Sequence, residues 1–78
     1  MNVENMEPVK ISEILVQSPD GAKYTINILQ HYNTFGDDEY TVVLPARKEF
    51  RTCEGFAVNR IDNNRFFIQG PDVQVKRI

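Results

Sequence analysis

Residues 55–69 read Gly-Phe-Ala-Val-Asn-Arg-Ile-Asp-Asn-Asn-Arg-Phe-Phe-Ile-Gln, two β-forming runs on either side of Asn63-Asn64. Asparagine tolerates positive φ better than most residues, so the pair suits a two-residue hairpin turn, and a turn of that length sets the strand register. With Asn63 and Asn64 as the loop, Asp62 faces Arg65, Ile61 faces Phe66, Arg60 faces Phe67, Asn59 faces Ile68 and Val58 faces Gln69. Side chains alternate along a strand. Ala57, Asn59, Ile61, Phe66 and Ile68 are therefore expected on a core face. Phe56, Val58, Arg60, Asp62, Arg65, Phe67 and Gln69 are expected on the opposite, outer face.

A chain of 78 residues holds one domain. At this length folding buries only roughly 60–65% of the surface exposed by the unfolded chain, and small domains often add a disulfide, a metal or a second subunit. Cys53 is the single cysteine and His31 the single histidine, so neither an internal disulfide nor a tetrahedral zinc site is expected. Self-association is the staple that remains. No apolar run approaches the roughly 18–20 residues of a membrane-spanning helix. The start, Met-Asn-Val-Glu-Asn-Met-Glu-Pro, is acidic and polar where a secretory signal is basic and then apolar, so a cytoplasmic location is expected.

The net charge of −2 hides an asymmetry. Residues 1–39 set Lys10 and Lys23 against seven acids, and residues 40–78 set seven bases against Glu49, Glu54, Asp62 and Asp72. Halves of opposite sign favour head-to-tail contacts or an anionic partner for the basic half.

Residues 1–7 carry no pattern and are expected to be a flexible tail, leaving residues 8–78 as a single β-rich domain. Residues 9–18 alternate imperfectly. Ile11 falls out of phase with Ile14 and Val16 unless a residue is inserted near Ser12-Glu13, which predicts a β-bulge. A helix over residues 8–15 also fits Ile11, Ile14 and Leu15, but it would be only two turns long. Ser18-Pro19-Asp20-Gly21 is a turn signature, and residues 22–32 place Tyr24, Ile26 and Ile28 on one side, so a hairpin is expected. Residues 33–39 read as a loop. Tyr40-Thr41-Val42-Val43-Leu44 reads as a short buried strand stopped by Pro45. Residues 46–50 could form a helical turn, whereas residues 50–53 read as a strand leading through Glu54-Gly55 into the hairpin. A last strand over residues 73–78 brings Val73 and Val75 to the core face and Gln74 and Lys76 to the outer one. Six or seven short antiparallel strands joined by hairpins, with little helix, make this an all-β barrel or roll.

Catalytic groupings are sparse. Cys53 has Arg51 and Glu54 close by with opposing effects on its pKa, and no spacing requires it to meet His31. Asp37-Asp38-Glu39 lacks the alternation of a calcium loop, and the four glycines punctuate turns instead of forming a phosphate cradle. No enzymatic activity, metal, cofactor or small-molecule substrate is expected. The expected function is a non-catalytic protein-interaction module, self-associating through the outer face of the 55–69 hairpin or through an edge strand. Val58, Arg60, Arg65, Phe67, Gln69 and Lys76 are its candidate binding residues. The alternative is a weak single-stranded nucleic-acid binder, with these bases drawing phosphates and Phe67 stacking a nucleobase.

Overall fold

The computed structural model describes residues 7–37 and 39–78, so all of the expected tail except the exposed Glu7 lies outside the described residues. Six strands follow one another: β1 (Val9–Gln17), β2 (Lys23–Gly36), β3 (Thr41–Thr52), β4 (Val58–Arg60), β5 (Arg65–Ile68) and β6 (Val73–Arg77). No helix occurs among the described residues, so the helical readings of residues 8–15 and 46–50 do not hold.

The first reversal is the one expected. The Ser18 amide donates to the Ala22 carbonyl at 2.8 Å and the Gly21 amide to the Ser18 carbonyl at 3.0 Å, while Gly21 takes φ +93°, a value that favours glycine. The β1–β2 register slips between Lys10 and Ser12, making Ile11 the extra residue of the anticipated bulge and letting Ile14 and Val16 face inward together.

The order across the sheet is β3-β2-β1-β6-β5-β4, with every pairing antiparallel. A bridge between Arg51 and Ala57 brings β3 back toward β4, so this meander nearly closes into a barrel. Closure matters because an open sheet leaves unpaired edges. Inside lie Ile14, Val16, Ile26, Val58, Phe66, Ile68 and Val75, with Tyr24, Ile28, Phe50 and Val73 packed against them. Phe66 and Phe50 meet with ring centroids 6.0 Å apart. Val73 and Val75 pair with Ile68 and Phe66, in the parity that the apolar pattern demanded.

Two parts depart from the sequence reading. In the β4–β5 hairpin, Val58 pairs with Ile68, Asn59 with Phe67 and Arg60 with Phe66, one residue away from the register that Asn63-Asn64 implied. The cause is Asp62. Its Oδ1 accepts the amides of Asn64 at 2.9 Å and Arg65 at 2.8 Å, an Asx turn that reverses the chain over Asp62-Asn63-Asn64 instead of over the two asparagines alone. A one-residue slip moves every side chain of a strand to the other face, so Val58 joins the core while Ala57, Asn59 and Ile61 leave it.

The second departure is larger. Neither the loop over residues 33–39 nor the stop at Pro45 is present. Instead β2 continues to Gly36 and β3 runs unbroken from Thr41 through Pro45 to Thr52. Pro45 pairs with Tyr32 beside a register shift and on the sheet's outermost strand, two settings in which a missing N–H is tolerated.

Candidate interaction surface

β1 reaches only as far as Gln30 of β2, at the Val9–Gln30 pair. Beyond it, among the described residues, the ends of β2 and β3 pair only with each other and form an arm of five residue pairs, from Tyr32–Pro45 to Gly36–Thr41, with Glu7 and Pro8 beside its root. The Cα radius of gyration of 15.8 Å records this projection, since a compact chain of this length has about 11–12 Å.

The root of the arm is built around one side chain. Between Gln30 and Tyr32 the register shifts because β3 carries an additional residue over Ala46-Arg47. The buried Gln30 amide donates to the His31, Ala46 and Arg47 carbonyls at 3.0, 3.1 and 3.4 Å. These bonds give the carbonyls of the interrupted ladder a donor at the bulge. The tip is held in a second Asx turn, with Asp37 Oδ1 accepting the Glu39 and Tyr40 amides at 2.9 and 3.0 Å. These two bonds hold the Asp37 carboxyl below the usual carboxylate range.

Alternation continues from the barrel into the arm. Tyr32, Thr34, Val43 and Pro45 lie on the side continuous with the core, and Asn33, Phe35, Val42 and Leu44 on the other. Apolar residues on both faces are the pattern of a strand covered from both sides. Here no further strand among the described residues covers either side: Val42 is 49% exposed, Val43 47%, Leu44 49% and Tyr40 72%, while Tyr32 and Thr34 are half-buried. The expectation of a buried strand at residues 40–44 is overturned, because nothing in the barrel reaches far enough to cover it.

The barrel opens where the arm begins. A cleft of about 560 Å³ there has Ile28, Phe50 and Phe66 among the residues of its wall and Lys48, Arg60 and Arg77 among its cations. Among the described residues none of these three bases has a carboxylate partner within 4.0 Å. Arg60 instead donates to the Asp62 carbonyl and to the Asn63 side-chain oxygen. On the outer face of the same root the charges are paired. Glu49 accepts from Arg51 Nε at 2.8 Å and lies 3.2 Å from His31 Nε2. The Arg51 hydrogen bond, then the His31 contact, hold the Glu49 carboxyl below its ordinary range.

The six candidate residues divide. Arg65, Phe67 and Lys76 do share the outer face of β5–β6, with Arg65 opposite Lys76 and Phe67 opposite Gln74, and Gln69 is exposed in the turn just beyond β5. Val58 is buried in the core and Arg60 stands opposite Phe66 at the barrel mouth, so neither belongs to that face. Arg60 therefore does not face Phe67, as a two-residue turn had implied. The Asp62–Arg65 ion pair does form, at 2.7 Å. Phe66 and Phe67 point to opposite sides, one fully buried and the other half-buried. Phe56, expected on the outer face, lies against Gly70, where an added Cβ would sit 2.6 Å from its ring.

Cys53 is exposed at the end of β3, its amide donating to the Thr25 carbonyl at 3.1 Å. His31 is six residues further along β2, about 20 Å away at strand spacing. The two do not meet. Among the described residues no group of three or more His, Cys, Asp or Glu side chains could hold a metal, and no helix is long and apolar enough to cross a membrane.

The arm was the feature that sequence reasoning missed. Its signal was a mismatch of lengths: residues 9–18 are too few to pair with an apolar alternation that runs from Lys23 past Tyr32 to Phe35. Comparison with protein-family models, curated proteins and solved structures finds no match, so the surface is interpreted from its own geometry.

Proposed function

We propose that this chain is a non-catalytic protein-interaction module of the cytoplasm, and that its docking element is the β2–β3 arm and not the outer face of the 55–69 hairpin. One observation carries the reading. Val42, Val43 and Leu44 are three consecutive apolar residues left about half exposed on a ribbon with no second layer among the described residues. A two-stranded ribbon is marginally stable by itself in water, and contiguous exposed apolar surface on a small protein marks an interaction site. The barrel supplies a rigid base and the glutamine-filled root aims the arm.

Photo-crosslinking tests this directly. A benzophenone amino acid at position 43, in the full chain inside its native cell, is expected to give a protein adduct of discrete mass. The same group at Asn59, on the outer face of the barrel, is expected to give none. Absence of any adduct from position 43 would overturn the reading.

The nucleic-acid alternative has less support. It needs Arg60 beside Phe67, whereas Arg60 is at the barrel mouth and Arg65 is neutralised by Asp62.

A further inference from the structure

We infer that the occupant of the arm is a second copy of this chain, clasped antiparallel so that the acidic tip of each arm enters the cationic barrel mouth of the other. This rests on the reading of the arm as a docking element and adds its partner and orientation.

Charge along the arm is segregated. From residue 24 to residue 46 the sequence contains no lysine or arginine, and its acids are Asp37, Asp38 and Glu39. Asp37 and Glu39 occupy the tip turn. At the root, Lys48, Arg60 and Arg77 converge on one cleft without acidic partners among the described residues. Three like charges around one opening, in a protein of net charge −2, form a site short of an anion. Two arms packed in parallel would place tip against tip and root against root, repelling at both ends. Packed antiparallel along their length, each tip arrives at the other's root, and both repulsions become attractions.

Charge also selects the face. The outer side of the root carries Glu49, whose neighbours Arg51 and His31 already satisfy it. Only the core-side face, with Tyr32, Val43 and Pro45, leads a packed arm to the unpaired cations. A two-fold axis makes the contact self-complementary, so one pair of patches serves twice.

The arm is small. A ribbon about 20 Å long and 10 Å wide covers on the order of 200 Å² per copy, and two tip–mouth contacts add a comparable amount, below the roughly 1,200 Å² of most stable complexes. The dimer is accordingly weak, with a Kd on the order of 10–100 µM, and salt weakens it further.

Sedimentation equilibrium of the full chain at low ionic strength, up to about 500 µM, reads this out. Glu39→Lys and Lys48→Glu, both at exposed positions, are each expected to raise the dimer Kd about tenfold. The double variant, carrying both reversals in one chain, is expected to return to within about threefold of the starting value. A dimer indifferent to either reversal, or one the double variant fails to restore, would overturn the clasp while leaving the docking role of the arm intact. A chain monomeric throughout would overturn the second copy as occupant, and position 43 adducts to a different polypeptide would then keep the docking role. Salt-sensitive oligonucleotide binding lost in Lys48→Glu, with no dimer, would assign the mouth to nucleic acid and overturn the clasp.

Discussion

The same two strands build both the barrel wall and the arm, with very different results. In the wall, Ile26, Ile28, Phe50 and Thr52 alternate inward and meet Ile14, Phe66 and Val75. In the arm, Tyr32, Phe35, Val42, Val43 and Leu44 are as apolar and as regularly paired, yet they remain exposed or half-exposed. Alternation specifies that a segment is a strand and which residues share a face. Whether that face is buried depends on what stands opposite, and β1, at nine residues against fourteen in β2, stops too soon.

The contrast can be tested first by truncation. Phe66→Ala is expected to cost about 3–5 kcal/mol in urea unfolding, because it empties the centre of the barrel. Val43→Ala is expected to cost well under ~1 kcal/mol in a dilute sample, because the chain alone leaves that side chain half in water. Equal losses at the two sites would remove the distinction between wall and arm.

Two glycines of similar backbone separate crowding from strain. Gly55 and Gly70 have φ +100° and +107°, but an added Cβ meets nothing at Gly55 and the Phe56 ring at Gly70. Gly55→Ala is expected to cost about 1 kcal/mol and Gly70→Ala about 2–3 kcal/mol, measured by the same unfolding experiment. The difference reports whether Phe56 is seated on the barrel.

Gln30 lies at the junction of the two regions. Gln30→Ala leaves the bulge carbonyls without their donor and is expected to cost about 1–2 kcal/mol. Amide exchange should accelerate more in residues 32–36 and 41–44 than in residues 65–68. Uniform acceleration would mean that the arm has no independent opening.

The smallest effect concerns acid. The Glu49 carboxyl titrates below its ordinary value of 4.5 in the folded chain, so its contribution is complete above that pH and is lost as pH falls through the lowered pKa. Glu49→Gln is expected to destabilise slightly at neutral pH, with the gap from the parent chain closing below about pH 4.5. A gap independent of pH would show that the Arg51–Glu49–His31 cluster contributes packing and not charge.

Much of the barrel was legible because its signals are local. Ser18-Pro19-Asp20-Gly21 encodes its own reversal, the out-of-phase Ile11 announces its bulge, and Val73 and Val75 can face inward only in one parity. The β4–β5 register was not legible from Asn63-Asn64, because the preceding aspartate competes for the same amides and lengthens the turn by one residue. Arg65, Phe67 and Lys76 kept their common face because they lie on β5 and β6, whose pairing does not depend on that turn. Val58 and Arg60, on β4, inherited the error. The arm was hidden for a different reason: a strand covered by its own chain and one left exposed share a pattern, and only the finite length of β1 tells them apart.

Hydrogen exchange followed against protein concentration tests the central claim most directly. Raising the chain from about 5 to 500 µM is expected to increase protection at residues 32–36 and 41–44 while leaving residues 14–16 and 66–68 unchanged. Arm amides as slow as those of the barrel at the lowest concentration would contradict the claim that the arm lies outside the core, and arm amides insensitive to concentration throughout would contradict a second copy as its occupant.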